Sequence, residues 1–168
     1  MKASARIKAA IGLGSNLGDR LGNLRQALAF LSESGVSILE RSHVYETPPY
    51  GKTDQPLFLN ATVIVEHEGD ALSLLALLKG IEKRIGRQDR GHWGPREIDL
   101  DLLMIPGFTY RDENLEVPHP GIADRAFVLV PLAEIAPHWV HPVIGLEVAE
   151  LAGRFKAEAL SFCRIALL

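Results

Sequence analysis

Leu17, Leu21, Leu24, Leu28 and Leu31 recur at alternating spacings of four and three, the period that draws one apolar stripe along an α-helix. A helix with a single stripe must lay it against a partner, and the flanking runs supply one. Residues 6–13 form a short apolar strand stopped by Gly-Ser-Asn, and beyond Gly35 residues 36–45 (VSILERSHVY) predict a second strand. Residues 58–67 (FLNATVIVEH) predict a third, whose alternation sets Leu59, Ala61, Val63 and Val65 on one face and Phe58, Asn60 and Thr62 on the other. A helix over 70–86 carries Leu74, Leu78, Ile81 and Ile85 at helical spacing, modestly weakened by Gly80. A fourth strand is expected over 97–104.

The order β-α-β-β-α-β predicts an α+β, ferredoxin-like sandwich, a four-stranded antiparallel sheet with two helices on one face and the other face available for a site. Residues 105–168 are then an elaboration. Pro118-His119-Pro120 marks a turn, ADRAFVLVPLAEIAP reads as a short helix or two broken pieces, and 146–155 as helical. No repeat or linker divides the chain, and 168 residues can bury a substantial core, so one domain over 1–168 is expected. Eighteen Lys and Arg against 21 Asp and Glu leave a net charge of -3, which gives no footprint for nucleic acid or an anionic membrane surface. The partners expected are small molecules, met by a monomer. The apolar run near the N-terminus is broken by Gly12 and Gly14 and reads as neither a secretion signal nor a membrane span. The single cysteine, Cys163, allows no internal disulfide, is expected as a small buried hydrophobe, and suits the cytoplasm. His138 and His141 are expected in surface turns rather than as ligands.

The fourth strand carries a contradiction. In WGPREIDLDLLM, Asp99 and Asp101 stand two residues apart in an apolar run, although aspartate is a poor strand former. With Glu97 they share one face, while Ile98, Leu100 and Leu102 share the other. Neighbouring carboxylates repel, and a divalent cation relieves the repulsion. Magnesium in particular takes one or two carboxylates and completes its shell with water and phosphate oxygens. Lys83, Arg84, Arg87, Arg90 and Arg96 precede the pair and Arg125 follows, a supply of forked donors for phosphate. GLGSNLGD has neither dinucleotide glycine spacing nor a P-loop lysine, so its expected role is a tight strand-to-helix turn capped by Ser15 or Asn16. Phe58 and Asn60, beside the proline-stiffened loop Thr47-Pro48-Pro49-Tyr50-Gly51, can stack a flat ring and read its edge, but on these residues alone a core Phe58 with a turn Asn60 is the favoured reading. A two-metal phosphodiesterase and a non-catalytic binding module are the other readings of these residues.

Together GLGSNLGD, ETPPYG with DQPLFLNATV, GRQDRGHWGPREIDLDLL and VPHPGIADRAFVLVPLAEIAP resemble the 6-hydroxymethyl-7,8-dihydropterin pyrophosphokinases of the folate pathway, in that family's order. The resemblance implies transfer of pyrophosphate from ATP to the pterin hydroxymethyl oxygen with release of AMP. It also implies two Mg²⁺ ions held by Asp99 and Asp101. By motif position the pterin falls between Phe58 and Phe127, its edge read by Asn60 and by the segment containing Thr47, Pro48 and Tyr50. Arg87 and Arg96 fall near the reaction centre, and Glu82, Arg90, Trp93, Ile98, His119 and Arg125 fall on the ATP side. The loops around 46–56 and 87–96 are the ones that close over substrates in that family. The chain departs from the family at His92, where Arg is common, at Pro120, and at Lys79, where glutamine is familiar.

Overall fold

The computed structural model describes residues 6–168. The basic opening of the N-terminal segment, residues 1–5, lies outside them. β1 (Arg6–Ser15) leads to α1 (Arg20–Glu33), β2 (Ser37–Arg41), β3 (His43–Thr47) and β4 (Phe58–Glu68). There follow α2 (Ala71–Ile85), β5 (Asp99–Met104), the two-residue strands β6 (Tyr110–Arg111) and β7 (Glu116–Val117), a 3₁₀ turn at Ile122–Asp124, α3 (Ala126–Ile135), α4 (Val148–Gly153), α5 (Lys156–Ala159) and β8 (Cys163–Leu167). The main sheet has the order β5-β1-β4-β3-β8, with β2 also paired to β4. All its pairings are antiparallel. The ferredoxin-like α+β expectation holds.

α1 and α2 lay their stripes on one face of the sheet, where Leu24, Leu28, Leu31, Leu74 and Leu78 meet Ile11, Val63, Val65, Ile98, Leu100 and Leu102. Burying such side chains is worth about 1.5–3 kcal/mol each. The whole β-propensity scale spans only about 1 kcal/mol, so burial decides that the Asp-containing run is a strand.

The other face is available for a site, as expected, but only in part. α3 and α4 cover part of it through a second core of Ala10, Ile64, Leu103, Met104, Leu129, Leu132, Val148 and Leu151. What remains uncovered is a depression between β1, β4, β5 and the N-terminal end of α3. The single strand expected over 36–45 is split at Ser42. There the Ser42 backbone N–H donates to the Thr62 carbonyl and its hydroxyl accepts from the Thr62 N–H, both at 2.9 Å, so a side chain replaces one ladder bond. α1 starts three residues after Leu17, capped by Asp19, whose carboxylate accepts from the Gly22 N–H at 2.9 Å, rather than by Ser15 or Asn16. The tail adds β8 at the sheet edge, which periodicity did not announce, and Cys163 on it is exposed, not buried. His138 is exposed, but His141 is 5% exposed, its Nδ1 accepting from the backbone N–H groups of Val143 and Ile144.

Candidate active site

Two rows of residues cross the sheet side by side. In one, Asn60 on β4 and Asp99 on β5 flank Gly14 on β1; in the next, Thr62 and Asp101 flank Gly12. Each row has an amide or hydroxyl at one end, a carboxylate at the other and a bare backbone between. Gly12 and Gly14 therefore form the floor of a trough inside β1, not the turn expected of them. A Cβ on Gly14 would lie 3.0 Å from Asn60 Oδ1 and 3.7 Å from Phe58 Cδ1, and one on Gly12 would meet the Leu103 side chain at 3.3 Å. No other residue keeps this floor clear.

At the amide end, Asn60 Nδ2 donates to Thr47 Oγ1 at 2.7 Å, which fixes the amide and leaves Oδ1 toward Gly14. Thr47 is buried and acts on Asn60, while Pro48, Tyr50, Phe58 and Phe127 line the depression. Tyr50 leans over Phe127, with ring centroids 5.8 Å apart, and stands edge-on to Trp93 at 6.5 Å. The Arg125 guanidinium lies 5.1 Å from the Tyr50 ring centroid.

At the carboxylate end the two aspartates differ. Asp99 accepts from Arg87 at 2.7 Å and from Arg96 at 3.1 Å. Asp101 has no hydrogen-bond or ion-pair partner among the described residues. Burial first, and the charge of Asp99 second, push its pKa up to about 7. An unpartnered carboxylate beside a second one suits a cation. No group of three or more His, Cys, Asp or Glu among the described residues could hold a metal alone, so an ion here needs oxygens from a bound phosphate and water, as magnesium does. The donor set fits that ion.

Glu82 is buried on α2 and holds this end together. It accepts from Arg87 at 2.7 Å, from the Leu100 backbone N–H at 2.7 Å, and from Lys79 at 3.2 Å. Burial opposes the charge of Arg87, but Asp99 and Glu82 outweigh it and hold the guanidinium's pKa above the ordinary arginine value. Arg87, Arg90 and Lys83 gather with Lys79 around a neighbouring basic hollow, and Arg96 lines both hollow and trough. Arg90 is engaged by Glu97 at 2.7 and 2.9 Å, which takes Glu97 out of the carboxylate face proposed for it. His119 lies in a separate groove. Its Nδ1 accepts from the Gly121 N–H at 3.1 Å, and burial, then Arg125, lower its pKa. Ile98 is wholly buried on the helix-covered face, opposite the trough, so its side chain lines neither the trough nor the neighbouring hollows.

Sequence reasoning gave Asn16 only a capping role and passed over Gln55. Asn16 Nδ2 donates to Gln55 Oε1 at 2.9 Å, its Oδ1 accepts from the Arg96 N–H at 2.9 Å, and Gln55 Nε2 donates to the Trp93 carbonyl at 2.9 Å. These two amides tie the loops after β3 and α2 to the end of β1. Gly51, at φ 83°, lies under Trp93 so closely that a Cβ would stand 2.7 Å from the indole. Only glycine combines that backbone with that contact.

The sequence model of the family described as 7,8-dihydro-6-hydroxymethylpterin-pyrophosphokinase (HPPK) matches residues 10–137. A 2-amino-4-hydroxy-6-hydroxymethyldihydropteridine pyrophosphokinase of Methylorubrum extorquens is 46% identical over 134 residues, covering 79% of this chain and 85% of that one. The protein of the same name from Bacillus subtilis is 45% identical over 126 residues, covering 74% and 75%. A mitochondrial folate synthesis bifunctional protein of Pisum sativum is 46% identical over 125 residues, of which this chain spans 24%. Among solved structures, a Plasmodium falciparum HPPK-DHPS triple mutant shares the fold with a TM-score of 0.75 at 19% identity, over 95% of this chain and 46% of that one. With its trough, its paired aspartates and its arginines all inside the matched span, the chain belongs to the 7,8-dihydro-6-hydroxymethylpterin-pyrophosphokinase family.

Proposed function

We propose that this chain transfers the terminal pyrophosphate of ATP to the hydroxymethyl oxygen of 6-hydroxymethyl-7,8-dihydropterin, giving the pterin diphosphate and AMP for folate synthesis. The observation that carries the reading is the pair of sheet rows, which set a ring-reading amide and a carboxylate pair at opposite ends of one glycine-floored trough. A flat pterin stacks between Phe58 and Phe127 with its edge on Asn60. Its hydroxymethyl arm then runs toward Asp99 and Asp101. The alcohol oxygen bonds to the β-phosphorus of ATP, the bond from that phosphorus to the α-phosphate oxygen breaks, and the alcohol proton is released.

This chemistry asks for positioning and charge neutralisation more than for covalent help. Arg96, held to β1 through Asn16, and Arg87, held by Glu82, bring two guanidiniums to the polyphosphate. Both are ion-paired to Asp99 in the free protein, and phosphate oxygens take over those donors. Asp99 and Asp101 would hold the two Mg²⁺ ions, which when bound supply charge neutralisation across the polyphosphate. Trp93 and Arg125 close the nucleotide side from the loops, and Arg90 and His119 approach it from the neighbouring hollows. No helix among the described residues is long and apolar enough to cross a membrane. The working form we infer is one catalytic unit over residues 1–168, a monomer in the cytoplasm.

The test is AMP formation by the purified chain, expected only when ATP, hydroxymethyl-dihydropterin and Mg²⁺ are all present. ATP hydrolysis independent of the pterin would overturn the reading in favour of a phosphodiesterase.

A further inference from the structure

Glu134, outside the trough and lining none of its walls, is among the described residues the one α3 side chain that hydrogen-bonds the helix wall of the pterin slot to its sheet wall. On α3 it lies seven residues after Phe127. Seven residues are almost two full turns, so both side chains leave the same face of the helix, roughly 10 Å apart along its axis. At the Glu134 end the carboxylate is fully engaged with β3. Oε1 accepts from the His43 backbone N–H at 3.0 Å and from His43 Nδ1 at 2.5 Å, and Oε2 accepts from the Tyr45 hydroxyl at 2.5 Å. Arg164 on β8 covers the same tyrosine, its guanidinium 5.8 Å from the ring centroid. His43, Tyr45 and Thr47 alternate onto one face of β3. Tyr45 pairs with Asn60 in the sheet, and Thr47 accepts the Asn60 amide. The grip on Glu134 is thus continuous with the grip on Asn60.

The Phe127 end of α3 is held by apolar packing of Ala126 and Leu129 rather than by polar bonds to the sheet. Arg125 at the N-cap gives no side-chain cap bond. Pro131 sits inside the helix, and its missing N–H is the one that would bond the Phe127 carbonyl four residues back. Apolar packing resists lifting of the helix more than it resists sliding or rotation, so the directional bonds that fix its register on the sheet come from its far end, at Glu134.

We propose that Glu134 is a positioning residue for the pterin slot: by fastening α3 to His43 and Tyr45 it sets the distance and angle between Phe127 and the Phe58–Asn60 wall. The proposal rests on the reading of that slot as the pterin site. It predicts a defect larger for pterin than for ATP, because the ATP-side residues on α2 and in the loop before β5 are held by Glu82 and Asn16, and only Arg125, at the N-cap of α3, shares the helix that Glu134 fastens.

Kinetics of the full chain and direct titration of hydroxymethyl-dihydropterin by its fluorescence, with a non-hydrolysable ATP analogue present, test it. Glu134→Ala is expected to raise both the KM and the Kd for pterin roughly tenfold, with the KM for ATP and kcat changed less than about twofold. Glu134→Gln keeps an oxygen for His43 and an amide for the Tyr45 oxygen, and is expected to recover most of the loss. Tyr45→Phe keeps the ring and removes one bond, and is expected to show a smaller pterin-selective defect even if the alanine variant folds poorly. Unchanged pterin binding in Glu134→Ala, an equal loss for ATP, or a glutamine variant as impaired as alanine would each overturn the positioning role. A wild-type chain that binds no pterin would instead overturn the slot itself.

Discussion

Asn60 and Asp99 face each other across Gly14 in one row of the sheet, two strand spacings or roughly 10 Å apart. That separation is set by backbone hydrogen bonds, so the two ends of the trough are held at a fixed distance whatever the loops do. Removing the Asn60 amide should therefore act on one end only. Asn60→Ala or Phe58→Ala is expected to weaken pterin binding by roughly tenfold or more and to leave ATP binding within about twofold. Calorimetric titration of each ligand decides it, and equal losses for both would contradict the division of the trough.

The carboxylates should separate catalysis from folding. Asp101 has no hydrogen-bond or ion-pair partner among the described residues to lose, and burial already disfavours its charge. Asp101→Asn is accordingly expected to keep or raise the urea midpoint while lowering AMP formation by on the order of a hundred- to a thousandfold. Turnover near that of wild type would remove the metal-ligand role. Asp99→Ala should also lose transfer, and in addition free Arg87 and Arg96 from their ion pairs.

Gly14→Ala offers a test of the floor itself. The added methyl carbon meets Asn60 Oδ1 at 3.0 Å, closer than ordinary contact, on a strand whose pairing does not otherwise change. We expect pterin affinity to fall by roughly tenfold or more from the lost edge contact, with thermal stability lowered only slightly. A variant with wild-type pterin KM would mean that the substrate lies elsewhere.

Metal dependence should be separable from fold in the same way. Chelation is expected to abolish AMP formation and Mg²⁺ to restore it, with no change in the far-ultraviolet circular dichroism of the ligand-free chain, because both cores form without the aspartates. Loss of secondary structure on chelation would contradict this.

The Glu134 clamp carries a pH signature. Burial raises the carboxyl's pKa, but the hydrogen bonds from Tyr45 and His43 outweigh it, and the net shift is downward from the ordinary 4.5. A depressed folded pKa means stability that is present above about that value and is lost as pH falls through the folded one. His43, Tyr45 and Arg164 are the titratable or charged groups facing it from β3 and β8. The stability advantage of wild type over Glu134→Gln, from urea midpoints, should be larger at neutral pH than below 4.5. An advantage that grows in acid would reverse the assignment.

Much of this was written in side-chain period. The alternation of Ile98, Asp99, Leu100 and Asp101 separates buried from functional positions without any coordinates, and the leucine stripes of α1 and α2 say which face they cover. Three features were not legible for physical reasons. The segment that becomes α3 is apolar apart from Glu134 and contains Pro131, so it shows no clear stripe and did not reveal that it would roof the second side of the sheet. Gly12 and Gly14 look like turn glycines because sequence shows what a glycine permits but not what lies across from it. The split at Ser42 depends on a hydroxyl that replaces a backbone bond to a strand 20 residues away. Ile98, next to Asp99, is buried by the same alternation that turns the aspartates to the trough.

The bare floor at Gly12 and Gly14 has a meaning for inhibitors. A compound that lies flat on those two residues touches main-chain atoms, and a main chain cannot be exchanged by mutation. Any replacement there adds atoms toward Asn60 or Leu103, obstructing the natural substrate along with the drug. Resistance would have to arise at the rim, in Tyr50, Trp93 or the loops that carry them, and compounds that draw their affinity from the floor rather than from those loops leave it the least room.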